Sequence, residues 1–63
     1  MTVEVKGYGK ITANKSILNS LSLVFDTAEE KYKAEGKETM AKIMNEASWS
    51  IYNALNETGY YKD

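Results

Sequence analysis

Few side chains in this sequence could do chemistry, and their types narrow what that chemistry is. Histidine and cysteine are both absent, so an imidazole-activated serine and a thiolate nucleophile are excluded. A metal site would have to be built from carboxylates alone. The close acid groupings are Glu29-Glu30 and Glu35-Glu38, both beside lysines on an expected wet face or in a turn. Catalytic carboxylates need a partly buried cleft, so these read as solvated charge. Gly7-Tyr8-Gly9 lacks the third glycine and a following helix at the right distance for a dinucleotide loop, and it reads as a turn. The expectation is a protein that is not an enzyme and holds no metal, cofactor or small-molecule substrate.

Binding is the chemistry left, and one residue argues for it. At about 100° per residue, Met40, Ile43, Met44, Ala47, Ile51, Ala54 and Leu55 share one face of a helix. Trp49 projects from the opposite side, among Lys42, Asn45, Glu46 and Asn53, with Tyr52 on the flank. One explanation is an indole laid on the protein's own surface, covered by Tyr60-Tyr61 or the hairpin tip. The other is an interface anchor, because tryptophan and tyrosine concentrate where binding energy concentrates. The candidate partner-binding set is Trp49, Tyr52, Asn45 and Asn53, with Asn56 at its margin, and the expected partner is a protein or a second copy in a homodimer. Leu23, on the outer side of the preceding helix, is a second stray apolar residue.

A second candidate surface is the basic and aromatic cluster Lys6, Tyr8, Lys10 and Lys15, a mix suited to nucleic acid. Several phosphate contacts are normally needed at physiological salt, so this set is short of charge. Every cation in the chain is lysine, which removes the forked guanidinium best suited to phosphates and guanine edges. Nucleic-acid binding is therefore the alternative to protein binding.

The elements that must position these residues follow from pattern. Thr2 to Ala13 alternates with period two and reads as a hairpin, or as one bulged strand needing a second chain. A loop of Gly7-Tyr8-Gly9 would pair Val5 with Ile11 and Val3 with Ala13, giving one apolar face. That register leaves Tyr8 at the tip between Lys6 and Lys10. Asn14 is suited to cap a helix of about residues 15–35, with Ile17, Leu18, Leu21, Val24, Phe25, Ala28 and Tyr32 as its core stripe. Gly36 ends it by a left-handed turn, and a helix of about residues 38–57 returns antiparallel, closed in the same way by Gly59. The fold class is α+β, ββαα: one domain over residues 1–63 in which the hairpin's apolar face lies on the groove between the helices.

Sixty-three residues sit near the lower limit for unaided folding. Without cysteine or histidine, self-association is the aid left open. The net charge is −1, and the first 24 residues are basic while the rest are acidic. No apolar run is long enough to cross a bilayer, and no charged start precedes a cleavable apolar segment, so the expected address is cytoplasmic. Asn14-Lys15-Ser16 and Asn56-Glu57-Thr58 match a glycosylation acceptor pattern that has no meaning there.

In its brevity, in Gly7-Tyr8-Gly9 ahead of a capped helix and in Gly59-Tyr60-Tyr61 near the end, the chain resembles the small α+β proteins of bacteriophages and prophages. That resemblance implies binding to a host or phage protein. It implies no active site and no ligand.

Overall fold

Val3 and Val5 alternate with Thr2 and Glu4, so a pleated strand sends the valines to one side and the polar residues to the other. In the structure, a computed structural model that describes residues 1–62, this is β1 (Thr2–Val5), paired antiparallel with β2 (Gly9–Thr12). Two helices follow, α1 (Lys15–Ala34) and α2 (Glu38–Glu57). The first segment is thus a hairpin, and the arrangement is α+β, ββαα.

The register differs from the expected one by two residues. Val3 faces Ile11 and Val5 faces Gly9, so the loop is Lys6-Gly7-Tyr8. A shift of two keeps every side chain on its face. The cause is the turn: the Tyr8 amide donates to the Val5 carbonyl at 2.9 Å, and Gly7 takes φ +89° at the third of the four turn residues, the position that needs a left-handed residue. Gly9, with φ +92°, then enters β2 opposite Val5. Outside the strands, the Ala13 amide donates to the Met1 carbonyl at 3.0 Å in the same register.

The helix ends are set locally. Asn14 Oδ1 accepts from the Ile17 amide at 2.8 Å, filling one free donor of the first turn. Gly36 (φ +76°) and Gly59 (φ +78°) end α1 and α2. At both, the amide after the glycine reaches back to the carbonyl of the last full turn: Lys37 to Tyr32 at 2.9 Å and Tyr60 to Leu55 at 3.2 Å. The short reversal between them lays α2 antiparallel to α1.

The core lies between the hairpin and the helix pair. Val3, Val5, Leu18, Phe25, Met44, Ala47, Ile51 and Leu55 are buried together, and each large side chain among them contributes about 1.5–3 kcal/mol. β1 lies against α2, and the turn is tied there as well, the Lys6 amide donating to Ser50 Oγ at 3.3 Å. A two-stranded sheet is only about one helix wide, so the far edge of α1 stays uncovered. Two expected core stripes are corrected by that geometry. Ile17 and Val24 are 56% and 61% exposed and Met40 is 39% exposed, while Ser22, Ala41 and Ser48 are buried in their place.

Candidate binding groove between the helices

The hairpin covers one side of the helix pair, and the molecule is only 15 Å deep along its shortest axis, so the other side of the pair faces outward. Along it runs a line of residues spaced by three and four: Asn19, Ser22, Asp26, Glu29 and Lys33 on α1, opposite Ala41, Asn45, Ser48 and Tyr52 on α2. Such spacing is what places side chains in the seam of two antiparallel helices. Here the seam is polar.

Its hydrogen bonds form a ladder across the helices. The Ser48 hydroxyl donates toward the Asp26 carboxylate and lies 3.2 Å from the Ser22 carbonyl. The Ser22 hydroxyl in turn donates to the Asn19 carbonyl at 3.0 Å. Asn45 Nδ2 donates to Glu29 at 3.2 Å, and Lys33 Nζ sits 2.9 Å from the other Glu29 oxygen. The Lys33 hydrogen bond, the Asn45 hydrogen bond and the Lys33 charge together hold the Glu29 carboxyl below its ordinary range, against a smaller upward push from burial. Among the described residues, no buried side-chain nitrogen or oxygen lacks a partner.

At one end the ladder opens into a groove of about 340 Å³, lined by Asn19, Ser22, Leu23, Asp26, Ser48, Trp49, Tyr52 and Tyr61. The aromatic rim is ordered by the rings themselves. Trp49 meets Tyr52 edge to face with centroids 5.2 Å apart, and Tyr52 stacks on Tyr61 at 5.0 Å. Offset and edge-to-face pairs at such distances are the favourable arrangements for aromatic quadrupoles. Tyr61 is fixed from its far end by its hydroxyl, which donates to Asn19 Oδ1 at 2.7 Å. Partial burial, then the neighbouring Tyr52, Tyr60 and Asp26, push its ionisation upward, so the phenol stays neutral.

The expected partner-binding residues are brought together in part. Trp49 is 52% exposed, Tyr52 39%, and both lie on the groove. Asn45 is half-buried one step along the same seam and spends its amide on Glu29. Asn53 is exposed but does not line the groove. The C-terminal tail does reach this surface, through Tyr61, which stacks on one side of Tyr52 and leaves about half of the indole open. Leu23 sits across the groove from Trp49, so the two stray apolar residues belong to one feature. Asp26, Ser22, Ser48 and Asn19 were not singled out by sequence reasoning, although the spacing of the α1 residues with Glu29 and Lys33, and of Ser48 with Ala41, Asn45 and Tyr52, is itself a seam signal.

The hairpin cluster lies at an exposed tip, as expected, with Tyr8 about half exposed (51%). Tyr8 turns back over the core, its ring 5.2 Å from Phe25 and its hydroxyl 3.8 Å from Met44 Sδ. Lys6 lies 3.3 Å from Glu46, and Lys10 stands opposite Glu4 in the ladder. Lys15 opens α1. No helix among the described residues is long and apolar enough to cross a membrane.

Comparison with protein-family models, with curated proteins and with solved structures finds no significant match for the chain. The functional reading therefore rests on geometry and chemistry alone.

Proposed function

We propose that the chain is a small non-enzymatic interaction protein, binding a partner protein or a second copy of itself through the outer face of α2 and the groove beside it. The observation that carries this reading is Trp49, half exposed on the rim of an open groove. A ring of that size left in water forgoes burial that a partner would complete. Leu23 and Tyr52 widen the apolar patch, and the Ser48, Asn45 and Asn19 polar groups beneath it offer the satisfied surroundings that interface anchors have. A cytoplasmic address and a phage or prophage origin are compatible with the same reading.

Nucleic-acid binding through Lys6, Tyr8, Lys10 and Lys15 is the weaker reading. Two of its lysines face acids of the same chain, and its half-exposed tyrosine rests one side on Phe25.

The test is Trp49→Ala. The far-ultraviolet circular dichroism should be retained, and affinity for self or partner, by sedimentation and by pull-down from the native host, should fall about 30-fold or more, as for an interface anchor worth about 2 kcal/mol. A protein that stays monomeric at high concentration, captures no partner and merely melts earlier when Trp49 is removed would make the indole structural.

A further inference from the structure

We infer that the groove is a receptor for the guanidinium of an arginine presented by a different protein, with Asp26 as its ion partner and the rings of Trp49, Tyr52 and Tyr61 as its walls. This rests on the reading of the face as a protein-binding surface and supplies the chemistry of what binds there.

Three observations converge on a cation. The groove residues include one ionised group, the carboxylate of Asp26, and no lysine. Among the described residues, the ion pairs join Lys6 to Glu46, Lys33 to Glu29 and Lys37 to Glu35, and Asp26 takes part in none. It accepts the Ser48 hydroxyl, which fixes the carboxylate while leaving most of its lone-pair capacity unused. The walls are aromatic, and the face of an indole or phenol attracts a cation, tryptophan most strongly. The groove potential therefore complements positive charge and opposes phosphate or carboxylate.

Arginine is favoured over lysine by shape. A planar guanidinium can lie flat on one ring while its forked donors meet a carboxylate at the edge, whereas an ammonium is a compact, strongly hydrated charge. A volume near 340 Å³ is at the small end of ligand sites and suits one long side chain with its neighbours. This chain contains no arginine: all eight of its cations are lysine. A second copy cannot supply the guanidinium, so the partner is another protein. Because the Tyr61 phenol stays neutral, it does not add a second negative charge to the site.

The experiment is an NMR titration of the isotope-labelled chain with three pentapeptides, Gly-Gly-X-Gly-Gly, in which X is arginine, lysine or citrulline. Citrulline keeps the shape of arginine without its charge. The arginine peptide should give saturable shifts at the Trp49 indole and at the Asn19 and Ser48 amides, with an affinity about tenfold above that of citrulline and above that of lysine. Asp26→Asn should abolish the preference over citrulline, and Asp26→Glu should retain it; both are at an exposed position of α1 where the helix tolerates them. Equal binding of arginine and citrulline, or no shift at the groove with any peptide, overturns the inference. So does a lysine preference, or sedimentation showing the groove closed by a second copy. If Trp49→Ala still weakens association in any of those cases, the face remains a protein-binding surface and only the cation chemistry falls. If Trp49→Ala changes no association at all, both readings fall.

Discussion

The two long sides of the helix pair are built from different materials. On the side beneath the hairpin, α2 presents Met44, Ala47, Ile51 and Leu55, and α1 presents Leu18 and Phe25, all buried and all apolar. On the opposite side, the seam is Asn19, Ser22, Asp26 and Glu29 against Asn45 and Ser48, closed by hydrogen bonds and then flanked by exposed Leu23, Trp49 and Tyr52. A helix pair sandwiched between two covering layers would need apolar seams on both sides. This one has a single cover, and a polar ladder lets its second seam meet water without the cost of stranded donors. The difference teaches how to separate two settings for aromatic and aliphatic groups: those under the hairpin are sealed into the fold, while those at the ladder's open end keep much of their surface in water.

The largest effect that would break or sharpen this contrast comes from truncating one residue on each side. Ile51, fully buried beneath the hairpin, should lose about 3–4 kcal/mol on change to Ala, from lost transfer energy plus the cavity left behind. A domain of this size has only a few kcal/mol in hand, so Ile51→Ala should unfold in large part at room temperature, by circular dichroism and urea titration. Trp49→Ala, by contrast, should cost about 1 kcal/mol, the scale of one exposed aromatic pair. If the two substitutions cost the same, the open side is core and not a binding face.

How much of this was legible in the sequence depended on whether the deciding interaction is local. The Asn14 cap and the stops at Gly36 and Gly59 were readable because each is settled within one turn of chain, by an amide, a carbonyl and a backbone angle. The face of each helix was readable only to within about one position. Ile17 and Val24 have core-like side chains, but their exposure is decided by the width of a distant two-stranded sheet, which no local pattern encodes. Ser22 and Ser48 are the converse: poor core residues by type, buried because they lie where the helices touch. Trp49 and Tyr52 stood out as misfits on a wheel, whereas nothing local marks Asp26, which meets Ser48 only because α2 lies beside α1. The hairpin register was missed by two residues because both glycines carry positive φ, and alternation alone cannot say which one closes the turn.

An intermediate effect should come from the ladder itself. Ser48→Ala removes a hydroxyl that donates toward the Asp26 carboxylate beside the Ser22 carbonyl, at no change in backbone and little in volume. A hydrogen bond to a charged group contributes about 1.5–3 kcal/mol, and Asp26, being solvent-accessible, recovers part of its hydration. The expected cost is about 1 kcal/mol, read as a fall in melting temperature of roughly 4–8 °C. A negligible cost would mean that the polar seam is merely tolerated, and that the helix pair is held from the hairpin side alone.

The smallest effect distinguishes the sides by pH. Under the hairpin the core cluster holds no ionisable group, so its contribution should be indifferent to acid, whereas the open seam contains Glu29, whose carboxyl is lowered first by its hydrogen bond to Lys33 and then by that to Asn45. A carboxyl with a folded pKa below its ordinary 4.5 binds protons more weakly in the folded state than in the unfolded one. Its stabilisation is therefore present in full above that ordinary value and is lost as pH falls through the lower folded value. Melting temperature measured from about pH 6 down to about pH 3 should thus decline through this window, and Lys33→Met, by removing the leading cause of the shift, should make the decline shallower. The Lys33 ammonium is largely solvated, so screening keeps the effect modest and added salt should shrink it further. The carboxyl resonance of Glu29 supplies the site-specific check: its midpoint should rise toward 4.5 in Lys33→Met, and rise less in Asn45→Ala. An unchanged midpoint in both variants would mean that Glu29 is held neither by the Lys33 pair along α1 nor by the Asn45 hydrogen bond across the helices.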